Sequence, residues 1–297
     1  MGKMNKSTIA EKIILNTVFI IMCVAVLLPF LLIISVSFSN EIDVGMYGYR
    51  FIPKRIDLTA YRFVFSDPSS VINAYKVTTF STVFGTILSL FLMSLISYPL
   101  SRKSFGGRNF VSFYLFITML FSGGMVPSYI LNTQYLHLDD TIWIYIIPSL
   151  INAWNIFLIR TFFSGLPESI IESAYIDGAS EFRILLTIVM PLSKPVLATV
   201  ALLVSLGRWN EWLIPTLYIT RNDLVSLQYL LQKILLNVQL LQQNSKVISQ
   251  LGFEMQTIPS ETVRMAMAII VAGPMLVVFP FFQKYFVRGL TIGSVKG

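Results

Sequence analysis

The sequence predicts an all-α integral membrane protein with six transmembrane helices. Three observations predict it: an apolar composition, six long apolar runs, and basic residues gathered at alternate connections. Of 297 residues 55% are apolar, 13% aromatic and only 12% charged, and the mean hydropathy is +0.72. Soluble chains carry about 25% charged residues, so the charge here cannot coat a globule of 33.6 kDa. A soluble enzyme, a disordered scaffold and a secreted disulfide framework are excluded, the last because Cys23 is the single cysteine. Within its apolar run Cys23 reads as a small buried hydrophobe rather than a reactive thiol.

A bilayer core about 30 Å thick needs roughly 20 apolar residues in a helix. The first qualifying run is Ile13 to Phe38. Its basic arm and the small residues near its end imitate a signal peptide, but 26 residues exceed an h-region of about 7 to 15, so it reads as a retained span. Val77 to Leu100 is the second, and Phe110 to Leu131 the third. The third holds Ser122-Gly123-Gly124-Met125-Val126-Pro127, and a Gly-Gly pair before Pro predicts a bent or broken helix whose freed backbone groups need cover. Thr141 to Ile159 is the fourth; Pro195 to Ile219, with Arg208 and Glu211 inside it, is the fifth; Met265 to Phe286 is the sixth. The chain reads as one transmembrane domain over 1–297, with a connection at 160–194 and a tail at 287–297.

Orientation follows from Lys and Arg in the short connections. Lys3, Lys6 and Lys12 precede span one; Arg102, Lys103 and Arg108 join spans two and three; Lys284, Arg288 and Lys296 lie at the end. The loop with His137, Asp139 and Asp140 has no Lys or Arg. Both termini are therefore expected in the cytoplasm and the His137 loop outside. The net charge of +7 marks the cytoplasmic side and is not a nucleic-acid footprint. The outer segment 220–264 reads as partly helical, with apolar positions at Leu224, Leu227, Leu230, Leu231, Ile234 and Leu235.

The connection from Arg160 to Lys194 does not read as a loop. Leu166-Pro167 is a helix start, since Pro suits the first turn, and Glu168 and Glu172 place negative charge in the early turns. Ile170 with Ala174, and Ile171 with Tyr175, are four apart and predict an apolar ridge. Gly178 suits the left-handed residue that ends such a helix. Ser180 suits the cap of a second helix running to Met190, where Pro191 is expected to stop it. The product is a surface knob with an acidic flank, a shape that fits a groove in a soluble partner.

Glu172-Ser173-Ala174, three residues, Gly178, nine residues, Ile188, one residue and Met190-Pro191 resemble the EAA motif of ABC importer permeases. Asp177-Gly178-Ala179 is similar to the motif's common D-G-A form, and Ser173 and Met190 are its size-conserving departures. With the six spans, Trp209-Asn210-Glu211-Trp212 and the ending YFVRGLTIGSVKG, the chain resembles the MalG-like subunits of maltose-type carbohydrate importers. The resemblance implies the type I ABC importer permease fold, with the EAA segment as a cytoplasmic coupling helix set in a cleft of the ATP-binding subunit. It assigns Glu172, Ser173, Ala174, Asp177, Gly178, Ala179, Ile188 and Pro191 to that coupling element. It also implies that the tail, with Gly289, Gly293, Lys296 and Gly297, reaches the ATPase subunits.

Several residues carry two readings. Glu172 suits an ion pair with the ATPase or compensation of the helix dipole; Asp177 suits partner contact or a local cap. Arg208 and Glu211 suit a place near the translocation path or snorkelling to the outer interface. Trp209 and Trp212, with Trp143 and Trp154, suit sugar stacking or an interfacial belt. One histidine, His137, supplies no metal site or catalytic dyad, and no G-x-x-x-x-G-K-[ST] is present. The resemblance therefore implies a transport subunit with no catalytic residue and no cofactor of its own, ATP and Mg being held by two partner ATPases. Its further implied partners are a second, homologous permease forming a heterodimer, an extracytoplasmic solute-binding protein, membrane lipid and a carbohydrate substrate, in a bacterial cytoplasmic membrane. The competing class, an ion-gradient transporter, calls for ionisable groups in mid-span and repeated halves. Here such groups are confined to the fifth run and no repeat is evident.

Overall fold

A computed structural model describes residues 6–250 and 260–294. In chain order the helices are α1 (Lys6–Ser37), α2 (Glu41–Tyr47), α3 (Thr59–Val64), α4 (Pro68–Ser101), α5 (Arg108–Leu120), α6 (Met125–Ile130), α7 (Ala153–Ser164), α8 (Glu168–Ile176), α9 (Glu181–Ile184), α10 (Met190–Leu192), α11 (Lys194–Trp209), α12 (Leu213–Tyr218), α13 (Leu227–Gln250) and α14 (Glu261–Ser294). α1, α4 and α14 hold unbroken apolar stretches long enough to cross a bilayer. Three further pairs are long and apolar enough only when taken together, and each is bent: α5 with the segment Met125–Tyr135 at 112°, Ile142–Ser149 with α7 at 54°, and Glu181–Leu192 with α11 at 83°. Among the described residues three helices are therefore long and apolar enough to cross, and the number reaches the expected six when each bent pair is counted as one span.

The break in the third crossing falls where Gly-Gly-Pro predicts it. Gly124 has φ +87, a conformation open to glycine, and the Ser122 and Ser128 hydroxyls bond the Gly124 N–H and C=O. The fourth crossing differs from the uninterrupted run expected. Two short 3-10 turns, Ile142–Tyr145 and Ile147–Ser149, precede α7, and Asn152 caps α7 by accepting from the Asn155 N–H at 3.1 Å. In the fifth, α11 ends at Trp209 and a new helix starts at Leu213, so Pro195 to Ile219 is not one rod.

Contacts divide the chain into two units, each discontinuous in sequence. The first holds 1–68 and 231–273. There the Glu41 carboxylate accepts from the Ser260 hydroxyl and the Glu261 N–H, both at 3.0 Å, and from the Thr262 N–H at 3.0 Å and its hydroxyl at 2.6 Å. A carboxylate more than two hundred residues upstream thereby satisfies the orphan donors that begin α14. Arg55 grips Asp43 through two 2.8 Å bonds, and the Tyr49 hydroxyl donates to Glu261 at 2.8 Å. The apolar middle of α1 lies on the surface. Cys23 is exposed there, which corrects the expectation of burial: within a bilayer an apolar side chain loses nothing by facing outward.

The second unit holds 69–230 and 274–297. α4 turns a stripe of small residues inward, among them Thr78, Ser81, Gly85, Ser89, Ser94 and Ser97, and so lets neighbouring backbones approach closely. One core cluster gathers Met93, Tyr98, Ile156, Phe163, Ile171 and Ile184. Another gathers Val77, nearer the start of α4, with Ile144, Tyr145, Ile146 and Tyr218.

Candidate functional site

The connection at 160–194 folds as the knob its sequence predicts. α8 runs Glu168–Ile176 with Glu168 in its first turn. Pro167 sits one position earlier than expected, as the N-cap, with extended ψ. Gly178 has φ +75, its N–H bonds the Tyr175 carbonyl at 3.0 Å, and the Ala179 N–H bonds the Ala174 carbonyl at 2.9 Å. These bonds close the helix end in the manner of a left-handed cap. Ser180 caps α9 by accepting from the Arg183 N–H.

Pro191 does not stop the second helix. Leu185–Val189 widens into a π turn, α10 carries Pro191 in its first turn, and the chain then bends at Ser193 into α11. Pro costs nothing where its missing N–H would be unpaired anyway. Ile188, half-buried on that π turn, packs against the inner core.

The apolar ridge is not one surface. Ile171 and Ala174 are buried in the inner core, so Ala174 is no part of the exposed face. Glu172, Ser173, Asp177 and Gly178 are exposed and Ala179 half-exposed. Ile176, outside the four-residue spacing that defined the ridge, is the most exposed large apolar residue of the knob at 87%. Its only sequence signal was its place beside the glycine turn. Among the described residues no hydrogen bond or ion pair engages the Glu172 or Asp177 carboxylate.

Glu181 does work the sequence did not show. It accepts from the Tyr98 hydroxyl of α4 at 2.6 Å and from the Tyr175 hydroxyl of α8, tying the knob to the end of the second span. Partial burial, then the bond to Glu181, raises the Tyr175 phenol above its ordinary pKa. Beside this junction a crevice of about 470 Å³ is lined by residues including Tyr98, Arg102, Phe105, Glu181 and Phe182.

The four residues Trp209 to Trp212 are not gathered on one open wall. Trp209 is buried, and Asn210 caps its own helix by donating to the Leu206 carbonyl at 2.9 Å. Glu211 accepts from the Leu213 and Ile214 N–H groups at 2.8 and 3.0 Å, starting α12; Trp212 alone has a freely exposed ring. Arg208 is buried and does not snorkel. Of the tail, Gly289 and Gly293 fall in the last turns of α14, whereas Lys296 and Gly297 lie outside the described residues.

The described residues contain no group of His, Cys, Asp or Glu able to hold a metal ion. What the site offers is mechanical: an exposed helical knob, continuous through one 83° bend with the apolar helix α11. The fold is that of a polytopic helical membrane protein that presents an exposed helical docking element. Residues 1–292 match the family described as "Binding-protein-dependent transport system inner membrane component". The chain is 41% identical to protein LplC of Bacillus subtilis, over 91% of this chain and 90% of that one. It is 37% identical to the polygalacturonan/rhamnogalacturonan transport system permease protein YtcP of the same organism, over 94% of each. Among solved structures it is similar to a bacterial ABC transporter involved in the import of the acidic polysaccharide alginate, with a TM-score of 0.81 and 31% identity, covering 96% of this chain and all of that one. The chain belongs to this family of ABC importer permeases, in its carbohydrate-import branch, and is a transport subunit coupled to a separate ATPase rather than an enzyme.

Proposed function

We propose that this permease imports a carbohydrate oligomer and takes its drive through the exposed face of the α8 knob. The observation that carries the reading is the knob itself: Glu172, Ser173, Ile176, Asp177 and Gly178 form an acidic and apolar tip, and the segment behind it turns directly into α11. The tip docks in a groove of an ATP-binding subunit, Glu172 and Asp177 meet its basic residues, and Ile176 fills an apolar pocket. Two such ATPases, a homologous companion permease and an extracytoplasmic binding protein complete the assembly, with the knob and both termini on the cytoplasmic side. Closure of the ATPases on ATP and Mg moves the knob, and the crossings alternate their access. The tail at 287–297 adds a second ATPase contact.

Acidic oligomers lead the substrate candidates, because YtcP is named for polygalacturonan and rhamnogalacturonan and the similar solved transporter for alginate. Two experiments test the reading. Titrating the cognate binding protein with galacturonate oligomers, arabino-oligosaccharides and maltodextrins is expected to show binding of the first. Affinity purification through this chain is expected to retain the ATPase in the wild type and lose it in Glu172→Lys and Gly178→Val; full retention with full ATP-driven uptake in both variants would overturn the docking assignment.

A further inference from the structure

α11 leaves the knob at one end and finishes at Trp209, 16 residues or about 24 Å of helix away, with Arg208 in its last turn. Arg208 is 8% exposed and, among the described residues, has no carboxylate partner. Its Nη1 donates to the Tyr145 carbonyl at 2.7 Å. Its Nη2 donates to Ser89 of α4 at 2.9 Å and to the carbonyls of Ser149 and Ile146 at 3.2 and 3.4 Å. The Tyr145 and Ser149 carbonyls end the two 3-10 turns of the broken fourth crossing, and Ile146 is the residue that links those turns. A break inside a bilayer frees backbone carbonyls that need donors, and the guanidinium is a planar fork of five N–H donors that stays charged.

The space for it is reserved by Gly85 of α4: a Cβ there would lie 2.6 Å from Nη1 and 2.7 Å from Cζ. A larger residue at 85 displaces the guanidinium while leaving it in the sequence. One side chain therefore joins the outer end of α11 to the break in the fourth crossing and to the second crossing.

We infer that Arg208 is a positioning residue for transport, which makes the broken fourth crossing move as one body with the helix that leaves the knob. Without it the motion entering α11 at the knob dissipates at its far end, because the 3-10 turns no longer follow. The inference rests on the ATPase-docking reading, but the two fail separately. That reading stands on co-purification, this one on a distance within complexes that have kept their ATPase.

The test uses the full complex, with companion permease and ATPases, in lipid nanodiscs. Nitroxide labels go on Ile151→Cys and Leu203→Cys, both exposed positions, in a Cys23→Ser background. With Arg208 present the label distance is expected to be narrow and unchanged by Mg-ATP. In Arg208→Gln the distribution is expected to stay narrow without nucleotide and at least double in width with Mg-ATP. A purely structural role would broaden it equally in both states. Gly85→Ala is expected to reproduce the effect with Arg208 in place, Gly85→Ala/Arg208→Gln to be no worse than Arg208→Gln alone, and Arg208→Lys to narrow it again. If Arg208→Gln does not assemble, Gly85→Ala decides alone. An Mg-ATP distance change in the parent, equal broadening with and without nucleotide, or an unaffected Gly85→Ala overturns the inference.

Discussion

Gly178 shows what a single residue contributes to the knob. A Cβ at 178 would meet nothing within 4 Å, so its requirement is the backbone at φ +75 alone. The left-handed region costs a side-chain-bearing residue about 1 to 2 kcal/mol, less for Asn and more for a β-branched residue. Gly178→Asn is therefore expected to keep the ATPase and Gly178→Val to release much of it, measured as ATPase recovered per permease after affinity purification. Equal recovery in the two would show that the turn geometry is not what matters. Glu181 makes a second residue-scale case. Glu181→Ala removes both tyrosine bonds, whereas Tyr98→Phe removes one. ATP-driven uptake is expected to fall further in Glu181→Ala than in Tyr98→Phe, and the reverse order would exclude Glu181 as the link between knob and second span.

At the scale of elements, the start of α14 depends on one distant carboxylate. Half-burial of Glu41 raises its pKa, and the bonds from Thr262, Glu261 and Ser260 outweigh that, so the net shift is downward from 4.5. A depressed folded pKa means the cap's contribution is complete above the ordinary carboxylate range and is lost as pH falls through the lower folded value. The protection of the Glu261 and Thr262 amides, taken relative to their intrinsic exchange at each pH, is expected to fall on acidification below pH 4.5. In Glu41→Gln these amides are expected to exchange faster at neutral pH and to lose most of the acid-dependent acceleration beyond intrinsic exchange. The cap is worth about 1 kcal/mol, reduced because Glu41 is only half-buried.

The breaks in the helices divide by how local their causes are. Gly123-Gly124 before Pro127 announced the third break, because glycine and proline act on their own backbone whatever surrounds them. The fourth was hidden: Pro148 and Asn152 lie in an uncharged run, and their effect needs Asn152 to reach the Asn155 N–H and Arg208 to meet the carbonyls left open. The end of α11 was hidden too, since Glu211 looked like an intramembrane charge until its carboxylate met the Leu213 and Ile214 amides.

For the whole molecule, sidedness is the property with the most direct test. The positive-inside rule, applied to the connections rich in Lys and Arg, predicts the knob in the cytoplasm and the His137 loop outside. In a Cys23→Ser background, a membrane-impermeant maleimide added to intact spheroplasts is expected to label His137→Cys but not Ser169→Cys, and to label both after permeabilisation. Labelling of Ser169→Cys from outside would invert the topology.

Composition and hydropathy determined by themselves that the chain is a multi-span membrane protein, and the spacing around Glu172 and Gly178 determined the knob and the family it resembles. These properties are additive or local: each residue's apolar area counts wherever it sits, and a glycine turn needs only its own neighbours. Tertiary structure alone decided that Ala174 faces the core and Ile176 the outside, that Tyr98 and Tyr175 converge on Glu181, and that Arg208 pins three crossings together. Each depends on groups far apart in the chain meeting within hydrogen-bond or van der Waals distance, and neither period nor composition records such a meeting.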